Sequence, residues 1–171
     1  MGEAPTRQRL DQAVKNGERK AYRAMIFETH AHYDDEAFDD DRDILLSAMQ
    51  ENGIGWIVNV GASLKSTAAS ISLAEKYPFV YAAAGVHPSE TAELNDENFA
   101  GLRTQCLHEK VVAVGEIGLD YYWDEPDHEV QKLWFTRQLE LARAVRKPVI
   151  IHSRDAARDT YDLLTAHHAE E

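Results

Sequence analysis

From Met25 onward the sequence repeats one pattern five times: a short run rich in Val, Ile and aromatic residues, then a stretch with helical spacing. The expected strands are Met25–Thr29, Trp56–Val60, Phe79–Gly85, Val111–Glu116 and Val149–His152. Most are apolar without alternation, as strands are in a parallel sheet covered on both faces. Ile44, Leu45, Ala48 and Met49 form one helical stripe, and Leu64, Ala68, Ile71 and Ala74 form another. A third helix is expected near Asp96–Leu107. The longest, near Asp127–Arg146, carries Val130, Trp134, Leu141 and Val145, and a fifth begins after Ser153. Such stripes are packing faces. Strict strand–helix alternation leaves a doubly wound sheet or a (β/α)8 barrel. No GxGxxG or GxxxxGK[ST] loop occurs. A barrel predicts that chemistry collects at the C-terminal ends of the strands.

The residues meet that prediction. The first strand runs into His30-Ala31-His32, and side chains at i and i+2 share a face with Cα atoms roughly 6.5–7 Å apart, so two imidazoles can converge on one cation. As a pair they are equally well read as two neighbouring histidines. The fourth strand ends Gly115-Glu116-Ile117-Gly118-Leu119-Asp120 after an apolar run, and a carboxylate there needs a metal or an arginine as partner. The fifth ends in His152, the third in Gly85-Val86-His87-Pro88. Four of five strands thus end in His or Glu at one structural level, and this coincidence of position points to a metal site. Three histidines and a carboxylate suit Zn, Mn or Mg, with ligand type favouring the transition metals. One carboxylate can bridge two ions about 3.5–4 Å apart.

Charge and cysteine usage narrow the setting. The net charge is −12 over 171 residues, and residues 1–24 carry six basic against three acidic side chains, so +3 there leaves −15 on the rest. An acidic body argues against non-specific nucleic-acid binding through surface charge, although bound metal ions invert the local field. No apolar run approaches the ~18–20 residues of a membrane span, so no membrane partner is expected. The single cysteine, Cys106, reads as a buried, inert thiol in a helix, and a reducing cytoplasm is the expected compartment. Residues 1–24 are expected to be a polar, basic leader outside the fold, with Met25 as a possible start.

Four motifs in order, Thr29-His30-Ala31-His32-Tyr33-Asp34, Gly85-Val86-His87-Pro88, the run from Gly115 to Tyr122, and the run from Pro148 to Arg154, resemble the TatD family of metal-dependent deoxyribonucleases, within the amidohydrolase-like barrels. The resemblance covers the chain from Met25 to its C-terminus. It implies that His30, His32, Glu116 and His152 ligate two divalent ions, with Glu116 shared and catalytic. It also implies cleavage of DNA phosphodiester bonds by two-metal water activation. The same ligands would serve an ester or amide hydrolase such as a D-aminoacyl-tRNA deacylase. The family usually has Asp where this chain has Glu28, which is therefore expected behind His30, orienting it, and not as a ligand. A full barrel has eight strands and roughly 250 residues. Five are read here, so residues 25–171 are expected to be the N-terminal part of an α/β, TIM-type barrel. The family's two further ligands lie downstream. Little turnover is expected of this chain alone unless a second polypeptide completes the barrel, and no other stable protein partner is expected.

Other positions carry paired readings. Tyr121, Tyr122 and Trp123 could stack a nucleobase or pack over the rim, and Tyr122 is taken as a substrate contact. Arg154 is placed to meet a phosphate, against an ion pair with Asp155 or Glu140. Asp120 is expected behind the ligands or as a loop cap, and His87 at the substrate or behind a ligand. The acids from Asp34 to Asp43 lack the Gly and terminal Glu of an EF-hand, and Asp39 or Asp40 is expected to cap the next helix. His167 and His168 are expected to be solvated.

Overall fold

The computed structural model describes residues 25–169; the basic segment 1–24 lies outside the described residues. Five strands, β1 (Ile26–Ala31), β2 (Ile54–Val60), β3 (Val80–Ala84), β4 (Val111–Asp120) and β5 (Val149–Arg154), alternate with five α-helices. The helices are α1 (Arg42–Ala48), α2 (Leu64–Lys76), α3 (Asp96–Cys106), α4 (His128–Val145) and α5 (Ala157–Ala166). All four neighbouring strand pairs are parallel, and the sheet order follows the chain, β1-β2-β3-β4-β5. A doubly wound sheet reverses its order at a switch point, and a barrel wall does not. The fold is therefore the incomplete barrel expected from the sequence.

The helices begin where local chemistry starts them. Ser63 caps α2 by accepting from Ser66 N, Asn95 and Asn98 form a reciprocal capping box on α3, and Asp127 caps α4 through Glu129 N. The main core lies between the sheet and these helices, where Ile57, Val80, Val114 and Ile117 pack with Leu73, Leu102, Trp134 and Phe135. A smaller cluster of Val58, Val60, Ala83 and Ala113, with Ile150 against it, lines the inner face. That face is open at one end. Trp56, two residues before Val58 and in register with Phe27, is 49% exposed, and Phe27 is 55% exposed.

Two helical stripes differ from expectation. In α1 the buried residue is Leu46, while Ile44 is 75% exposed. In α2 the buried face includes Thr67 and Ser70 in place of Ala68. Thr67 Oγ1 donates to Gly85 O at 2.9 Å, and Ser70 Oγ accepts from Asn59 Nδ2 at 2.8 Å. These residues are polar yet buried because they satisfy strand-end groups, which a hydrophobicity pattern does not register. β4 runs four residues past Glu116. Gly118 holds φ +147°, and a Cβ there would overlap the carbonyl oxygen of His152, so only glycine lets the Gly118–His152 register close.

Candidate metal centre

The candidate residues converge at the C-terminal side of the sheet, and two of the strands that bear them, β1 and β4, depart from regular pairing at the sites concerned. The β1–β2 register shifts between Glu28 and Ala31, a stretch containing His30. The β4–β5 register shifts between Val114 and Ile117, a stretch containing Glu116. Such irregularities bend a strand and re-aim a side chain.

Glu116 stands at the centre, with its side chain 14% exposed. Its Oε2 lies 3.3 Å from His30 Nε2 and 3.9 Å from His32 Nε2. Its Oε1 lies 3.1 Å from His152 Nδ1. The two Nε2 atoms of His30 and His32 are 3.1 Å apart. His32 Nδ1 is 2.9 Å from Val60 O, a carbonyl that can only accept, so the proton sits on Nδ1 and the Nε2 lone pair faces the cluster. Atoms bound at ~2.0–2.2 Å to one tetrahedral cation lie about 3.3–3.6 Å from each other. The His30–His32–Glu116 atoms, 3.1, 3.3 and 3.9 Å from one another, bracket that spacing, and His87, Glu116 and His152 form a second group with ligand-capable atoms mutually within 4.8 Å. Nitrogen and carboxylate donors in this arrangement fit divalent metals, with Glu116 common to both groups.

The surrounding residues sort themselves by what they touch. Asp120 Oδ2 lies 3.0 Å from His152 Nε2, and its Oδ1 accepts from Tyr122 N, so this carboxylate both backs a histidine and caps a loop. The pair has the carboxylate–histidine geometry that orients ligand rings. His87 Nδ1 accepts from Ser89 N–H, which leaves its proton on Nε2. Its ring meets that of His152 edge-on at 4.1 Å. Burial, reinforced by repulsion from His152, pushes its pKa down from 6.5 to about 4, so near neutrality it is an uncharged donor. Glu28 accepts from the backbone N–H of His30 at 3.2 Å, beside that ligand candidate. Arg154 makes no ion pair with Asp155 or Glu140; its guanidinium lies 3.6 Å over the Tyr122 ring. Tyr121 packs, stacking on His128 and donating to Asp159, whereas Tyr122 and Trp123 stay 52% and 57% exposed.

The acidic run is structural, with a different capping residue than expected. Asp41 stands at the N-cap of α1 without a side-chain bond, and Asp39 pairs with Arg42. Asp34 accepts from Asn59 and Ser66, and Asn59 Oδ1 accepts from Tyr33 N. This network anchors the loop just after His32. Asn59 was not singled out from the sequence; a lone Asn in an otherwise apolar strand is the signal that marks it. Burial drives the Cys106 thiol up to about 11, consistent with an inert group. His167 and His168 follow the last helix, away from the cluster.

A family model described as TatD related DNase matches residues 27–171. The chain belongs to that family. It is 38% identical over 146 residues to an uncharacterized metal-dependent hydrolase, YabD, of Bacillus subtilis, covering 85% of this chain and 57% of the relative. It is 34% identical over 131 residues to the 3'-5' ssDNA/RNA exonuclease TatD of Cronobacter turicensis, covering 77% of this chain and 50% of that one. The crystal structure of YjjV, a TatD homologue from Escherichia coli, superposes with a TM-score of 0.78 at 34% identity, over 86% of this chain and 58% of the other. The chain thus spans about half the length of the relatives it matches.

Proposed function

We propose that this chain supplies the Glu116-centred part of a divalent-metal site in a hydrolase that cleaves phosphodiester bonds of single-stranded nucleic acid. The observation that carries this reading is the position of Glu116, with one oxygen toward the His30–His32 pair and the other toward His152. His30, His32, Glu116 and His152 would hold two cations, Zn, Mn or Mg. When bound, such ions activate water at neutral pH and offset charge developing on phosphorus.

The chain's own groups account for the rest. Asp120 holds His152 in one orientation. His87, neutral and with Nε2–H available, donates to a substrate oxygen. Arg154 follows His152 by two positions on the same face of β5 and is suited to a phosphate oxygen. Its place over Tyr122, beside the exposed Trp123, makes an aromatic platform for a base, a contact worth ~1–3 kcal/mol in single-strand binders. Exonuclease activity on ssDNA and RNA is named for relatives such as that of Cronobacter turicensis. Among the described residues β1 and β5 are the sheet's two edges, and the remaining barrel strands would join there, making residues 25–171 the N-terminal part of the domain. A buried, unpaired Cys106 suits a cytoplasmic setting.

The test compares this chain alone with a fusion to the remaining barrel units of the E. coli relative. Both are assayed with Mn2+ on 5'-labelled single-stranded DNA, RNA and D-aminoacyl-tRNA. The expected result is weak turnover alone and shortening of DNA or RNA by the fusion, abolished by Glu116→Gln and reduced about tenfold by Arg154→Ala. Deacylation without nucleic-acid cleavage, or full activity in Glu116→Gln, overturns the reading.

A further inference from the structure

Helix α4 carries two glutamines at positions where its pattern calls for apolar residues. Gln131 is 1% exposed and Gln138 fully buried, seven residues apart on the face that packs against the sheet. Burying an amide is unfavourable unless its hydrogen bonds are made. Both side chains make two-point contacts with the backbone of a single residue. Gln138 Oε1 accepts from Val86 N at 2.8 Å, and its Nε2 donates to Val86 O at 3.1 Å. Gln131 Oε1 accepts from Asp120 N at 2.9 Å, and its Nε2 donates to Asp120 O at 3.0 Å and Pro126 O at 2.9 Å.

The two gripped residues are not arbitrary. Val86 immediately precedes His87, and Asp120 is the carboxylate that meets His152. A primary amide that bonds both the N–H and the C=O of one residue fixes the two peptide units flanking its Cα, as a neighbouring strand would. Val86 lies past the end of β3 and Asp120 is the last residue of β4. The clamps therefore act at the ends of these two strands, beside the cluster, where Asp120 is paired only with Arg154 of β5.

We propose that Gln131 and Gln138 are positioning residues of the metal centre, aiming Asp120 at His152 and holding His87 against the same ring through two-point amide clamps on the backbone. The Co2+ arm of the test rests on the metal reading above; the other arms do not. In metal-free protein, Gln131→Leu is expected to move the ring nitrogen resonances of His152, and Gln138→Leu those of His87, while His108, on the far side at Glu75, stays in place. Co2+ affinity is expected to fall about tenfold in Gln131→Leu. Leu139→Ala, on the same helix, is expected to lower the Tm but leave both rings and Co2+ affinity as in the unaltered protein. Unchanged His152 and His87 resonances in folded Leu variants overturn the proposal. If those variants do not fold, amide exchange in the unaltered protein decides it: Val86 and Asp120 are expected to be as protected as mid-strand amides, and exchange at loop rates overturns it. A chain that binds no Co2+ removes the metal reading, and the ring resonances still decide the clamps.

Discussion

β4 runs inside the sheet, with Val111, Val114, Ile117 and Leu119 at most 2% exposed, whereas β1 is an edge among the described residues, with Ile26 and Phe27 56% and 55% exposed. Each delivers part of the same cluster. Glu116 sits in a strand with neighbours on both sides, its own N–H donates to Gly61 O at 2.9 Å, and Gly85 approaches Gly115 so closely that a Cβ on Gly85 would come within 2.7 Å of backbone. His30 and His32 are held by one neighbouring strand, by the Val60 carbonyl and by the Asn59–Asp34 network. The carboxylate is thus fixed by packing, and the histidine pair by a few hydrogen bonds. Substitutions at the two strands should differ accordingly.

The largest effect is expected inside the sheet. Gly118→Ala places a Cβ against the His152 carbonyl at a φ that disfavours side chains, and a loss of about 4 kcal/mol or more is expected in urea unfolding. A loss below about 1 kcal/mol would show that the β4–β5 contact yields easily and would break the comparison. Next comes Asn59→Ala, which leaves Tyr33 N–H and the Asp34 carboxylate short of a partner. About 2–3 kcal/mol is expected, with faster amide exchange confined to residues 31–35; uniform exchange across the sheet would show that the network does not serve β1 in particular.

A smaller effect depends on pH. The His87 ring in the native protein stays neutral down to about 4, while in the unfolded chain it takes a proton near 6.5. The unfolded state therefore binds more protons between these values, and stability falls as pH drops from 6.5 toward 4 and is insensitive to this group above. Discounted for partial exposure, the change is about 1–2 kcal/mol in EDTA, and His87→Asn should remove it. The smallest effect is at the edge: Phe27→Ser should cost less than about 1 kcal/mol in thermal melts, because half the ring is already in water. A larger loss would mean that β1 is covered in solution.

The barrel wall was legible because the strands are continuous apolar runs and the intervening segments have helical period. The cluster was legible because His30, His32, Glu116 and His152 each follow an apolar strand run in the sequence. What escaped was the polar interior. Thr67, Ser70, Gln131 and Gln138 occupy helix positions that a hydrophobicity pattern assigns to apolar residues, and their value lies in backbone partners far along the chain. The apolar run stops at Glu116, where the sequence places the end of β4, whereas Gly118 permits the strand to continue beside His152. Arg154 was weighed against carboxylates, and the Tyr122 ring below it becomes visible only when the loop is placed.

The central claim is that Glu116 joins the two histidine groups into one metal centre. Its most direct test is a titration of metal-free protein with Co2+, followed by calorimetry and by visible absorption. The unaltered chain should bind with a ligand-field spectrum of nitrogen and oxygen donors. Glu116→Gln should weaken binding about 100-fold or more, beyond the range for residues behind the ligands. Equal affinity in the two proteins, or no Co2+ binding by the unaltered chain, would contradict it.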